Sequence, residues 1–169
     1  MMGKIKTLRE LFEVELRYAY DCEQKLVKKG LPSMIESARS PELRQGLEAH
    51  LRETQNHVSR LEGIFTLIGS EPGTTSNSVL DEMTRAAKDS VSHIEDPAIR
   101  DAALIVNGNF VEHYEMALYG SLLAFAQQLG IQQAISVLNE TLQEEKAADA
   151  KLTQIAKTLN QQAARTVAA

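Results

Sequence analysis

The chain has 169 residues, 43% hydrophobic and 24% charged, with a formal net charge of −5. That composition is too apolar for a disordered segment and too acidic for a dedicated nucleic-acid binder, which carries a basic stripe. No apolar run exceeds five residues, too few to span a bilayer, and the single cysteine, Cys22, cannot close an intrachain disulfide.

The opening MMGKIKTLRELFE lacks the apolar centre of a signal peptide, so a cytoplasmic protein is expected, with neither nucleic acid nor membrane as partner. A first helix is expected over 4–39, interrupted or kinked around Gly30-Leu31-Pro32. Ser40-Pro41 reads as an N-cap followed by proline at the first helical position, and opens a second helix over 41–68 that ends at Gly69. SEPGTTSNS at 70–78 is a loop, and a short helix over 79–93 follows. Asp96-Pro97 repeats the cap-and-proline signal and opens a helix over 97–128. Gly130 closes it, and a last helix covers 131–160, with NQQAARTVAA expected to fray.

Tight turns near residues 40 and 130 make two antiparallel hairpins, and the long connection between them can carry the chain back along the bundle. That is an all-α, ferritin-like four-helix bundle, a single domain over 1–169, with one additional short helix. HLRETQNHVSRLEGI at 50–64 aligns with TLQEEKAADAKLTQI at 141–155, matching Leu51 with Leu142, Glu53 with Glu144, Leu61 with Leu152 and Ile64 with Ile155. A duplicated hairpin would leave such a trace.

At about 100° per residue, the inward column of the first helix runs Leu8, Phe12, Leu16, Ala19, Glu23, Leu26, Gly30 and Met34. In the third long helix Glu115 stands at the centre of the apolar column, with Glu112 one turn back. In the fourth Glu145 does, with Asp149 about 40° off. In the second helix Leu47, Thr54, Leu61 and Ile68 form the centre, and His50, Glu53 and His57 lie along one flank. Measured from the two tight turns at about 1.5 Å per residue, Glu23, Glu53, Glu112, Glu115, Glu144 and Glu145 fall in one layer roughly 8 Å thick. All four helices thus send an acid toward one level of the core.

A single glutamate on a helix flank snorkels or pairs with a cation, but several buried together need neutralising. Lys25, Lys28, Lys29, Arg52, Arg60, Lys146 and Lys151 are expected to project away, and Arg100 lies near the bundle end. Protonated histidine or bound metal remains, and hard oxygen ligands with one or two imidazoles suit iron or manganese. Tyr20 and Tyr119 lie on inward arcs, as core aromatics or as hydrogen-bond partners of the site. Cys22 is expected to be an inert buried thiol, His113 to point outward, and His93 to be structural. His57 is open between ligand or support and flank residue. Val14, Tyr18 and Phe110 lie on outward faces, available to a dimer interface or to the short helix.

YDCEQKL at 20–26, HLRETQ at 50–55, DAALI at 101–105, EHYEMALYGSL at 112–122 and LQEEKAADAKLT at 142–153 resemble the YciF/YciE-type ferritin-like stress proteins of bacteria, over about residues 5–158. The resemblance implies a ferritin-like bundle with an extra short helix, assembled as a homodimer or higher oligomer and tied to osmotic, salt and general stress. Carried over by position, it places metal ligands at Glu23, His50, Glu53, Glu112, Glu115, Glu144 or Glu145, and Asp149.

The chain departs from the broader di-iron pattern, which takes a glutamate from two helices and Glu-x-x-His from the other two. Asn56 stands three residues after Glu53 and Ala147 three after Glu144, while the second helix offers the reversed His50-x-x-Glu53. The expectation is a site for two metal ions, iron first and manganese or zinc next, that reacts with dioxygen or peroxide or handles iron. Glu23 and Glu115 would be central, with Glu53, Glu112, Glu144 or Glu145, and Asp149 terminal and His50 supplying nitrogen. The alternative is a non-enzymatic structural or interaction protein with a weak or vestigial site. Whether the protein is an enzyme is left open.

Overall fold

The computed structural model describes residues 4–165. Thr7 caps the first helix, α1 (Leu8–Lys25), in a capping box: its hydroxyl accepts from Glu10 N while the Glu10 carboxylate accepts from Thr7 N. The helix therefore starts at Leu8 rather than residue 4. It continues through one π-helical turn, Leu26–Gly30, into α2 (Leu31–Ser37). The interruption or kink expected around Gly30-Leu31-Pro32 takes the form of this π turn: the chain widens by one residue, with Leu31 N–H donating to Leu26 O five residues back. Residues five apart on a regular helix diverge by about 140°, yet Leu26 and Leu31 are both buried. Leu31 thus replaces Gly30 and Met34 as the inward residue after Leu26.

The second long helix, α3 (Pro41–Ile68), starts on the Ser40 cap and ends at Gly69 in the left-handed region, φ 66°. The crossover carries α4 (Ser78–Ser92), and the second hairpin is α5 (Pro97–Gln128) and α6 (Gln132–Ala163). Asp96 Oδ1 caps α5 by accepting from Ala98 N and Ile99 N, and Gly130, φ 69°, turns the chain into α6. Of the segment expected to fray, helix persists to Ala163, and residues 166–169 lie outside the described part. Among the described residues there is no strand, and no helix is long and apolar enough to cross a membrane.

Helix α1 packs beside α3 and α5, and α6 beside the same two, so the crossover joins diagonal helices as in ferritin-like bundles. Asn77 pins it in place. Its backbone N–H donates to Asp21, its side chain caps α4 through Leu80 N, and its amide donates to Tyr18 O on α1. Tyr18 therefore lies beside the crossover.

The core is in two pieces. One cluster joins Phe12, Leu16, Leu61, Phe65, Leu122 and Leu138, and the other joins Leu26, Leu31, Leu47, Leu104, Leu152 and Ile155. On every long helix the residues between the two clusters are polar: Glu23 on α1, His50, Thr54 and His57 on α3, Glu112 and Glu115 on α5, Glu145 on α6.

At the far end of the second cluster Asp101 on α5 is buried and accepts from Arg39 N and Ser40 N at 2.8 and 2.7 Å, tying α5 to the first hairpin's turn. Asp101→Ala would strand two backbone donors. Urea unfolding of the metal-free protein should show a loss of about 2–3 kcal/mol with helical content intact, whereas a loss under about 0.5 kcal/mol would mean water replaces the carboxylate.

Candidate metal centre

Two groups of side chains meet in the polar layer. His50, Glu112, Glu115 and Glu145 each offer a ligand atom to one shared space, as do Glu23, His57 and Glu145, the atoms of each group lying within 4.8 Å of one another. All six residues are buried, and Glu145 belongs to both groups. His50 Nε2 lies 3.1 Å from Glu112 Oε1 and 3.9 Å from Glu145 Oε2. His57 Nδ1 lies 3.0 Å from Glu145 Oε1 and 3.3 Å from Glu23 Oε1, yet makes no hydrogen bond to either. The atoms of each group border a common space.

The periphery fixes them. His57 Nε2 meets Glu144 Oε2 at 2.7 Å, and as a carboxylate only accepts, that nitrogen carries the proton and Nδ1 is turned inward. Arg60 holds Glu144 through both guanidinium nitrogens and also reaches Glu140 and the Thr141 hydroxyl. This carboxylate–imidazole arrangement is the usual outer support of a metal-bound histidine. On the other side the Tyr119 hydroxyl donates to Glu23, and the Cys22 thiol donates to Glu115 Oε1 at 3.5 Å.

Burial pushes the Glu115 carboxyl well above its ordinary range, and Glu23, Glu145 and Glu112 push it further. Burial also raises Glu23 and Glu145, only partly offset by His57. Burial would lower His57, but Glu145 and Glu23 outweigh it and carry the imidazolium up to about 10. His50 is likewise raised well above its usual value: burial would lower it, but Glu112 and Glu53 outweigh that. Burial and the neighbouring Glu115 push the Cys22 thiol up.

Residues 7–165 match a family described as a domain of unknown function, DUF892. Protein YciF of Escherichia coli K12 is 34% identical over 156 residues, covering 90% of this chain and 92% of that protein. The chain belongs to the DUF892 family. The crystal structure of the E. coli stress protein YciF superposes with a TM-score of 0.88 at 32% identity, over 93% of this chain and 99% of that one. YcfI of Rhodopseudomonas palustris, described as a candidate structural protein, superposes with a TM-score of 0.87 at 37% identity, over 100% and 99%.

In this DUF892 chain the expected residues divide into two sets. Glu23, His50, Glu112, Glu115 and Glu145 converge in the buried layer. The choice between Glu144 and Glu145 falls to Glu145 at the centre, with Glu144 turned to His57 and Arg60. Two residues expected as terminal ligands stand apart. Glu53 has a side chain 46% exposed, 3.5 Å from His50 Nδ1 without a hydrogen bond to it. Asp149 accepts from Asn109 Nδ2 at 2.5 Å and faces the exposed His113 at 3.4 Å. Arg60, expected to project away, reaches Glu144, because its long side chain spans from the α3 flank to α6. Tyr20 turns outward to Glu62.

His57 is the residue the periodicity undervalued. It is fully buried, and its seven-residue spacing from His50, two helical turns, is the pattern that places both imidazoles on one face. Its raised pKa has a stability consequence. An imidazole near 10 in the folded chain against 6.5 unfolded contributes stability that is whole below pH 6.5 and is lost as pH rises toward 10. The raised carboxyls of Glu115, Glu23 and Glu145 act in the same direction. The melting temperature of chelator-treated protein should therefore fall between pH 6.5 and pH 9.5, and a Tm that is flat or rising across that window would contradict this charge arrangement.

Proposed function

We propose that this stress-protein homologue is a ferritin-like carboxylate protein holding two divalent metal ions, iron first and manganese or zinc next, and that it acts on dioxygen or peroxide or handles iron in bacterial stress tolerance. One observation carries the reading. Among the described residues, seven buried side-chain atoms lack any hydrogen-bond partner, and all belong to Glu23, His50, His57, Glu112, Glu115 and Glu145. Orphaned buried polar atoms cost about 1–3 kcal/mol each, so their concentration in one layer fits residues that hold cations.

Charge agrees. Two divalent ions with both imidazoles neutral would balance the layer's four buried carboxyl groups in their ionised form. Among the described residues no lysine or arginine pairs with these four. Glu145 would serve both ions, with His50, Glu112 and Glu115 on one side and Glu23 and His57 on the other. Iron so held would supply electrons to dioxygen or peroxide. Tyr119 holds the Glu23 carboxylate, and Arg60 with Glu144 keeps the His57 proton on Nε2, which leaves the Nδ1 lone pair available to a metal ion. Self-association is part of the same reading: Ile99, Val106 and Phe110 stay exposed along one face of α5.

The alternative, a structural protein with a vestigial site, draws support from the description of the R. palustris relative. An anaerobic ferrous titration of metal-free protein followed by air separates the two. Binding near two irons per chain, with a new near-ultraviolet absorption in air, is expected. Absence of binding for iron, manganese and zinc alike would leave the structural reading.

The arrangement also predicts unequal losses. Glu145→Ala should abolish uptake of both ions while the bundle keeps its helical content. His57→Ala should reduce uptake to about one ion per chain. Equal stoichiometry in both variants, measured by mass spectrometry, would remove Glu145 from its shared role.

A further inference from the structure

Three of the acids expected at the layer keep partly exposed side chains: Glu53 at 46%, Glu144 at 29% and Asp149 at 21%. Two of them are engaged, Glu144 by Arg60 and His57, and Asp149 by Asn109. A cation arriving at Glu144 would have to displace a guanidinium from its carboxylate. Glu53 has no basic side chain except His50 within ion-pair reach. It also leads inward. Its Oε2 lies 3.5 Å from His50 Nδ1, and on the far edge of the same ring Nε2 lies 3.1 Å from Glu112 Oε1. His50 is buried, and its Nδ1, which faces away from the layer toward Glu53, has no hydrogen-bond partner. Side-chain exposure falls along this line from 46% at Glu53 to 8% at His50 and 4% at Glu112. The approach is open as well. Glu53 and His50 line a cavity bounded by Gly46 and Ala49 on α3 and by Ala147 and Ala148 on α6, residues with little side chain to block it.

We infer that Glu53 is the port by which a divalent cation enters the layer: its carboxylate takes the ion from solvent and passes it to His50, and does not remain a ligand once the layer is filled. The inference rests on the metal reading of the layer and adds the route by which that layer is loaded. A carboxylate beside a ligand imidazole can also serve only to orient the ring, as Glu144 does for His57, and kinetics separate the two roles. A port lowers a barrier that is crossed in both directions, so its loss slows entry and release in the same ratio and leaves affinity unchanged. An orienting carboxylate stabilises the bound state, so its loss speeds release.

The test is anaerobic uptake of ferrous ion by chelator-treated protein, timed by quenching with a ferrous-binding dye, and release of iron from the loaded protein to the same dye. Final stoichiometry is measured by mass spectrometry. Glu53→Gln is expected to slow uptake and release alike by at least about threefold, the effect of one unit charge a few Å away in water, with the final count unchanged from wild type. Lys151, exposed and lining the same cavity, opposes an arriving cation, so Lys151→Gln is expected to speed uptake. Added salt should narrow both differences. Uptake as fast in Glu53→Gln as in wild type would overturn the port, and if release were then faster Glu53 would be an orienting group. A lower final count in Glu53→Gln would make it a resident ligand and overturn the port as well. No iron bound by wild type would remove the metal reading and this inference with it, an outcome distinct from a wild type that loads at the same rate as the variant.

Discussion

Everything in this bundle is arranged around the cost of holding four carboxylates in one water-excluded layer. Glu23, Glu112, Glu115 and Glu145 come from three helices, and α3 answers with two imidazoles. The layer interrupts the hydrophobic core on all four long helices at once, leaving apolar clusters above and below it. A protein under selection for stability alone would fill that gap with leucine. The two clusters supply the stability that lets the gap persist, and they hold its walls rigid enough for the buried acids to stay in place.

The supports around the layer follow from the same constraint. Each group that can be satisfied from outside is: Glu144 by Arg60, Glu23 by Tyr119, Glu115 by Cys22. The buried atoms that remain unsatisfied all belong to residues of this layer. Membership in the DUF892 family and the close superposition on the E. coli stress protein YciF show that the bundle is a shared frame. The chemistry proposed for it rests on these buried atoms rather than on the frame.

Much of this was legible because helices are periodic. Stepping around α1, α5 and α6 puts Glu23, Glu115 and Glu145 among leucines, and Ser40-Pro41, Asp96-Pro97 and Gly130 mark the helix ends at the chain positions where the structure has them. What escaped depends on distant partners or on side-chain reach. Asp149 is only about 40° from Glu145 on the wheel, but Asn109 on the neighbouring helix captures it. His57 sits off the centre of its column, yet an imidazole is long enough to turn into the layer from the flank. Asp101 carries no local signal, because the amides it caps lie 61 and 62 residues earlier. The π turn could not be told from a kink, since a proline without an N–H is compatible with either.

One residue common to both groups has a thermodynamic corollary. Because Glu145 is shared, an ion held by one group would change the charge and orientation available to the other, and by linkage the influence would be equal in the two directions. The two proposed positions would therefore not be independent binding sites with separate affinities. They would form a single coupled unit, in which the free energy of the pair, and not that of either ion, is the property on which the sequence acts.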